Sequence, residues 1–119
     1  MPTLYGIPNC ETVKKARAEL ESRGHPYIFH DFKKQGVPEA RLDAWIVALG
    51  WETLLNRRGT TWRRLSEPMR TEVSNASTAR DLMLALPSVI RRPVVEWPNG
   101  AITVGYDRDE WGTRLGTAT

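Results

Sequence analysis

The chain has 119 residues, a formal net charge of +3 at pH 7, an isoelectric point near 9.4 and one cysteine. That length suits one domain over residues 1–119 and is too short for two cores, while a lone cysteine excludes any intramolecular disulfide and, with it, a disulfide-stapled secreted fold. No segment approaches the roughly 20 apolar residues of a membrane span and no leader pattern precedes the first apolar run, so the expected location is the cytoplasm, without a membrane partner.

Residues 3–6 read as a short strand, Pro8-Asn9 as turn chemistry, and residues 10–23 as a helix closed by Gly24. Residues 27–32, Tyr27-Ile28-Phe29-His30-Asp31-Phe32, form a second strand. Strands joined by a crossover helix are expected to lie parallel, so the chain opens as a β-α-β unit. Residues 38–86 read as a helical insert. Pro38 opens a helix whose Leu42, Trp45, Ile46 and Leu49 follow the i, i+3, i+4, i+7 pattern, and Gly50 closes it. A short helical or irregular piece at 51–55 leads into the basic loop Asn56-Arg57-Arg58-Gly59. Residues 61–65 and 67–74 carry weak helical patterns, and Ser77 or Thr78 caps a last helix bearing Leu82, Met83 and Leu86, stopped by Pro87. Residues 94–97 and 101–104 are apolar runs around Pro98-Asn99-Gly100, the sequence of a tight antiparallel hairpin. A terminal helix runs from Asp107 or Arg108 through Trp111 toward Leu115. The order is β-α-β, insert, β-β-α: an α/β domain with a four-stranded mixed sheet and the insert packed on one side.

Cys10 stands where the first strand gives way to a helix. In a first helical turn, unpaired N–H groups and the positive end of the helix dipole favour thiolate, and Lys14 and Lys15 add charge nearby. Such surroundings bring a cysteine pKa from about 8.5 into the range of roughly 3.5 to 7.5. A lone cysteine also serves as a small apolar core residue, and spacing alone leaves both readings open. The basic residues are clustered, with Arg57, Arg58, Arg63 and Arg64 in one group and Arg91 and Arg92 in another. Clusters this local suit a small anion rather than a nucleic-acid duplex, which is not an expected partner. The five tryptophans fit a core, or an interface if a group of them stays exposed. His25 and His30 are not spaced with Cys10 for a metal, and no metal site is expected.

Three segments together, Tyr5-Gly6-Ile7-Pro8-Asn9-Cys10 with Lys14-Lys15-Ala16, Leu54-Leu55-Asn56-Arg57-Arg58-Gly59, and Ile90-Arg91-Arg92-Pro93-Val94-Val95, resemble the arsenate reductase (ArsC) family, which includes the Spx regulators and the YffB-type proteins. The resemblance runs from about Leu4 to Trp111 and is nearest to the YffB branch. It implies a thioredoxin-like fold, Cys10 as nucleophile, Arg92 as the arginine of the Arg-Pro motif, and a cis bond between Arg92 and Pro93. Asn9, Lys14, Arg58, Arg92 and Pro93 become the expected substrate- or glutathione-binding residues. The loop position falls on Arg58 by the Spx-type pattern and on Asn56 by the arsenate reductase pattern.

The departures from the family pattern bear on the substrate. Gly6 stands where the arsenate reductases have a histidine, and Gly105 is near the place of a third arginine. Fewer positive groups argue against efficient arsenate reduction, and the two glycines are expected to leave room for a larger thiol ligand. Val13 replaces the second cysteine of the Spx redox switch, so that sensor chemistry is excluded. The resemblance therefore implies a glutathione-dependent thiol reductase with no tightly bound cofactor, glutathione as co-substrate and glutaredoxin as a further partner. Two alternatives remain: an arsenate reductase, and a non-enzymatic Spx-like regulator that binds RNA polymerase.

Overall fold

The computed structural model describes residues 1–116; the last three residues of the expected domain lie outside the described ones. Four strands form one sheet: β1 Thr3–Gly6, β2 Ile28–Asp31, β3 Val94–Glu96 and β4 Ile102–Val104, in the order β2-β1-β3-β4. β1 pairs parallel with β2, Leu4 facing Phe29, and antiparallel with β3, Leu4 facing Val95. β3 and β4 are antiparallel, with Val95 facing Thr103. This is the thioredoxin-like α/β arrangement. The hairpin closes as its sequence requires: Gly100 takes φ +91° and donates its N–H to the Trp97 carbonyl at 2.9 Å, while Asn99 Oδ1 accepts from Ala101 N–H at 3.0 Å.

Alternation along the central strands sorts the core into two layers. Tyr5 and Val94 face the insert, meeting Trp45 of α3 (Glu39–Leu49), Leu54 of α4 (Trp51–Leu54) and Met83 of α7 (Ala76–Ala85). Leu4 and Val95 face the opposite way, against Leu20 of α1 (Glu11–Ser22) and Trp111 of α8 (Arg108–Gly116). The insert thus covers one face of the sheet, and α1 and α8 cover the other. Two further short helices, α5 (Thr60–Arg64) and α6 (Glu67–Glu72), complete the insert.

Three local readings are corrected. Phe32 belongs to a one-turn helix, α2 (Phe32–Gln35), rather than to the second strand, because the buried Asp31 carboxylate accepts the Lys33 N–H at 2.8 Å and caps that turn. The cap of α7 is Asn75, not Ser77 or Thr78: Asn75 Oδ1 accepts the Thr78 N–H at 2.9 Å and Thr78 Oγ1 accepts the Asn75 N–H at 3.2 Å, a reciprocal capping box. Cys10 is the N-cap of α1 with extended backbone, φ −92° and ψ 128°, so it precedes the first turn rather than lying in it.

Candidate active site

β1 and β4 are each antiparallel to β3, so they run in the same direction, and α1 and α8, which follow them, begin at the same end of the sheet. β3 enters from that end. Cys10, the Arg92-Pro93 segment and Asp107 therefore converge although far apart in sequence. Cys10, Arg92 and Asp107 line a cleft of about 380 Å³, a size that suits a small-molecule ligand.

Cys10 and Thr12 form one wall and Asn56, Arg91 and Arg92 another. The third wall is the end of β4 and the start of α8, including Gly105, Asp107 and Glu110. Cys10 is half-buried at this surface. Burial pushes its thiol up, but the N–H groups of Val13 and Thr12 and the Arg92 guanidinium outweigh that and bring it below the ordinary thiol value. Standing at the N-cap serves this chemistry, since the N–H groups of the first turn point toward the cap residue.

Arg92 is held by main-chain carbonyls: its Nη1 donates to Ser88 O at 2.7 Å and to Ile90 O at 3.3 Å. Its Nε is buried with no hydrogen-bond partner among the described residues. An unsatisfied guanidinium donor of this kind favours an ionised group beside it. The Arg92-Pro93 bond is cis, as the resemblance implied, and the Pro93 carbonyl accepts the Gly105 N–H at 2.9 Å, joining the second wall to the third.

The loop after α4 is tied to the same segment through the main chain. Leu55 and Ile90 form an isolated antiparallel bridge, Asn56 N–H donates to Val89 O at 2.8 Å, and Arg91 N–H donates to Leu54 O at 2.8 Å. This pairing brings Asn56 into the cleft and leaves Arg57 and Arg58 outside its lining. Asn56 Oδ1 accepts the Arg58 N–H at 3.1 Å, the Arg58 side chain is exposed, and Arg57 lies over the Trp51 ring at 5.3 Å. Of the other expected binding residues, Asn9 is exposed on the turn before Cys10, Lys14 pairs with Glu11 at 3.4 Å on the surface of α1, and Pro93 is buried.

The two glycines behave differently. A Cβ on Gly6 would sit 2.9 Å from Val13 Cγ2 and 3.9 Å from Arg92 Cβ, so Val13 already fills the space that Gly6 was expected to open. At Gly105, which lines the cleft with φ +78°, nothing stands within 4 Å of that position, and the room is real. Sequence reasoning missed Asp107 and Glu110. Their signal was available in the order of elements: a helix after β4 must start beside the helix that starts at Cys10, once the Asn-Gly hairpin makes β3 and β4 antiparallel.

Among the described residues, no cluster of three His, Cys, Asp or Glu side chains could hold a metal ion, and no helix is long and apolar enough to cross a membrane. His30 Nε2 instead bonds the Gly36 carbonyl at 2.8 Å.

Known proteins share this frame. A solved structure of a YffB protein is 42% identical, with a TM-score of 0.89 over 97% of this chain and 99% of its own. An arsenate reductase (ArsC) related protein from Brucella melitensis is 46% identical, with a TM-score of 0.75 over 96% of this chain and 93% of its own. The global transcriptional regulator Spx 1 of Lactococcus lactis is 26% identical over 114 residues, 92% of this chain and 85% of the regulator. The ArsC family profile matches residues 5–113, a span that includes Cys10, the Asn56 loop and Arg92-Pro93, and the chain belongs to the ArsC family.

Proposed function

We propose that the protein is a glutathione-dependent thiol reductase with Cys10 as its nucleophile. One observation carries the reading: the chain's single cysteine stands at a helix N-cap beside Arg92, in a cleft large enough for a tripeptide. The Cys10 thiolate attacks the glutathionyl sulfur of a mixed disulfide, the Cys10–S bond forms as the old S–S bond breaks, and the substrate thiol leaves as a thiolate. With no second cysteine to resolve the new disulfide, a glutathione thiolate attacks its glutathionyl sulfur; glutathione disulfide departs and Cys10 is restored. Arg92 holds a carboxylate of the bound tripeptide and favours the thiolate form of Cys10 at the start and end of the cycle. Glutaredoxin is the second candidate for the resolving thiol.

Intact-mass measurement after incubation with glutathione disulfide tests this. A single glutathione adduct on Cys10, released by added glutathione, is the expected result. A Cys10 that stays unmodified while a free cysteine peptide reacts under the same conditions overturns the reading. The likeness to the Spx regulator favours a second reading, a transcriptional regulator that binds RNA polymerase; on that reading Cys10→Ser leaves the protein fully functional.

A further inference from the structure

We infer that the cleft selects a thiol carrying a free α-ammonium group, and that Asp107 is the residue that receives it. This rests on the glutathione reading and deepens it by assigning the end of the ligand remote from the sulfur.

The cleft is charged in opposite senses on its two sides. Arg91 and Arg92 come from the segment before β3, while Asp107 and Glu110 come from the start of α8. Carboxylates in the wall of a site for a purely anionic ligand work against binding; a ligand with both signs uses both walls. Glutathione is such a ligand, with two carboxylates and one ammonium.

The two acids are not equivalent. Glu110 Oε1 already accepts Arg114 Nε at 3.0 Å, one turn along α8. Asp107 spends one oxygen, Oδ1, on the Glu110 N–H at 3.0 Å, and its other oxygen has no partner among the described residues.

Asp107 is also held in place from several directions. Gly105 is bonded to Pro93 O, the Tyr106 hydroxyl donates to Glu19 Oε1 of α1 at 2.9 Å, and the Tyr106 ring meets Trp111 edge-on at 4.9 Å. The Asp107 carbonyl accepts the Trp111 N–H at 2.9 Å. A carboxylate whose backbone is anchored to β3, α1 and α8 can bind without first being ordered. The bare face of Gly105, immediately before Tyr106, leaves the passage between the sulfur and this carboxylate open. Thiols lacking the amino group, or with it acylated, meet an unpaired carboxylate instead, as does a compact oxyanion such as arsenate.

The test uses S-methylglutathione, which has no reactive thiol, its N-acetyl derivative, and arsenate, each titrated into the wild-type chain and into Asp107→Asn. Asparagine keeps the oxygen that caps α8, so the fold is preserved. The wild type should bind the free amine about fivefold more tightly than the acetylated compound, the scale of one exposed ion pair. Asp107→Asn should bind the two alike and bind arsenate more tightly than the wild type. Equal affinities for the two compounds in the wild type, or an arsenate affinity that does not rise in the variant, overturn this inference and leave the glutathione reading standing. No binding of either glutathione derivative at millimolar concentration overturns both.

Discussion

Glu96 accepts the phenolic hydroxyl of Tyr5 at 2.9 Å, a bond between neighbouring strands whose residues are 91 positions apart in the chain. Its other oxygen accepts Trp45 Nε1 at 2.9 Å and Arg41 Nε at 2.6 Å, so one half-buried carboxylate pins α3 to the sheet. Glu96→Ala leaves the Tyr5 and Trp45 donors without their acceptor and should destabilise the protein by about 1.5 to 3 kcal/mol in urea unfolding. Glu96→Gln, which keeps an acceptor oxygen, should cost less.

The same pair sets two pH limits. Burial raises the Glu96 carboxyl, but the Trp45, Arg41 and Tyr5 donors outweigh it and hold the carboxyl below its usual value. Its contribution is therefore complete above the unfolded value of about 4.3 and is lost as pH falls through the lower folded value. Tyr5 moves the other way, pushed up to about 12 by burial and by Glu96. Its contribution is present below about 10 and lost as pH rises toward 12. Tyr5→Phe should reduce the alkaline loss, to which the raised Tyr27 and Tyr106 also contribute, and leave most of the acidic one, which Trp45 and Arg41 still support, as read from thermal unfolding across pH.

Alkylation of Cys10 by iodoacetamide, followed against pH, should show a midpoint below the free-thiol value of about 8.5. Arg92→Ala should move that midpoint upward, because the guanidinium is one of the groups favouring the thiolate. An unchanged midpoint in the variant would remove Arg92 from the reactivity of the sulfur.

Glutathione affinity should separate the arginines. Arg92→Ala should weaken binding by about 1.5 to 3 kcal/mol if a charge-assisted bond to a carboxylate is lost. Arg58→Ala, outside the cleft, should change it by less than about twofold, the ordinary scale for an exposed charge. Isothermal titration distinguishes the two.

Gly6→Ala puts a methyl group 2.9 Å from Val13 Cγ2 in a fully buried contact. Overpacking of this kind should cost about 1 to 3 kcal/mol. Adding Val13→Ala should recover part of that loss, a non-additivity that denaturation of the two single variants and the double variant would reveal.

What the sequence discloses about this protein is mostly local. Gly24, with φ +62°, ends α1, and Asn99-Gly100 makes the hairpin, because turn chemistry acts within a few residues. Cys10, Arg92 and Pro93 are legible through the family motifs. The caps at Asp31 and Asn75 turn on which of several polar side chains reaches a given N–H, and neighbouring Ser, Thr and Asn residues look alike on that point. The choice of Asn56 over Arg58 for the cleft is made by main-chain pairing with residues 89–91, more than thirty positions away. Glu96 reads as an ordinary strand residue until Tyr5, Arg41 and Trp45 surround it.

The central position of β1 has a consequence for biogenesis. Its antiparallel neighbour is residues 94–96, so the sheet cannot close on its first strand until the chain has been made through β3. A contact of such wide separation carries a large loop-closure cost and belongs late in folding. During synthesis Cys10 emerges 82 residues before Arg92. The nascent protein therefore carries Cys10 without the guanidinium that helps to favour its thiolate, and the sulfur gains that support only once the segment before β3 has been made and has folded beside it.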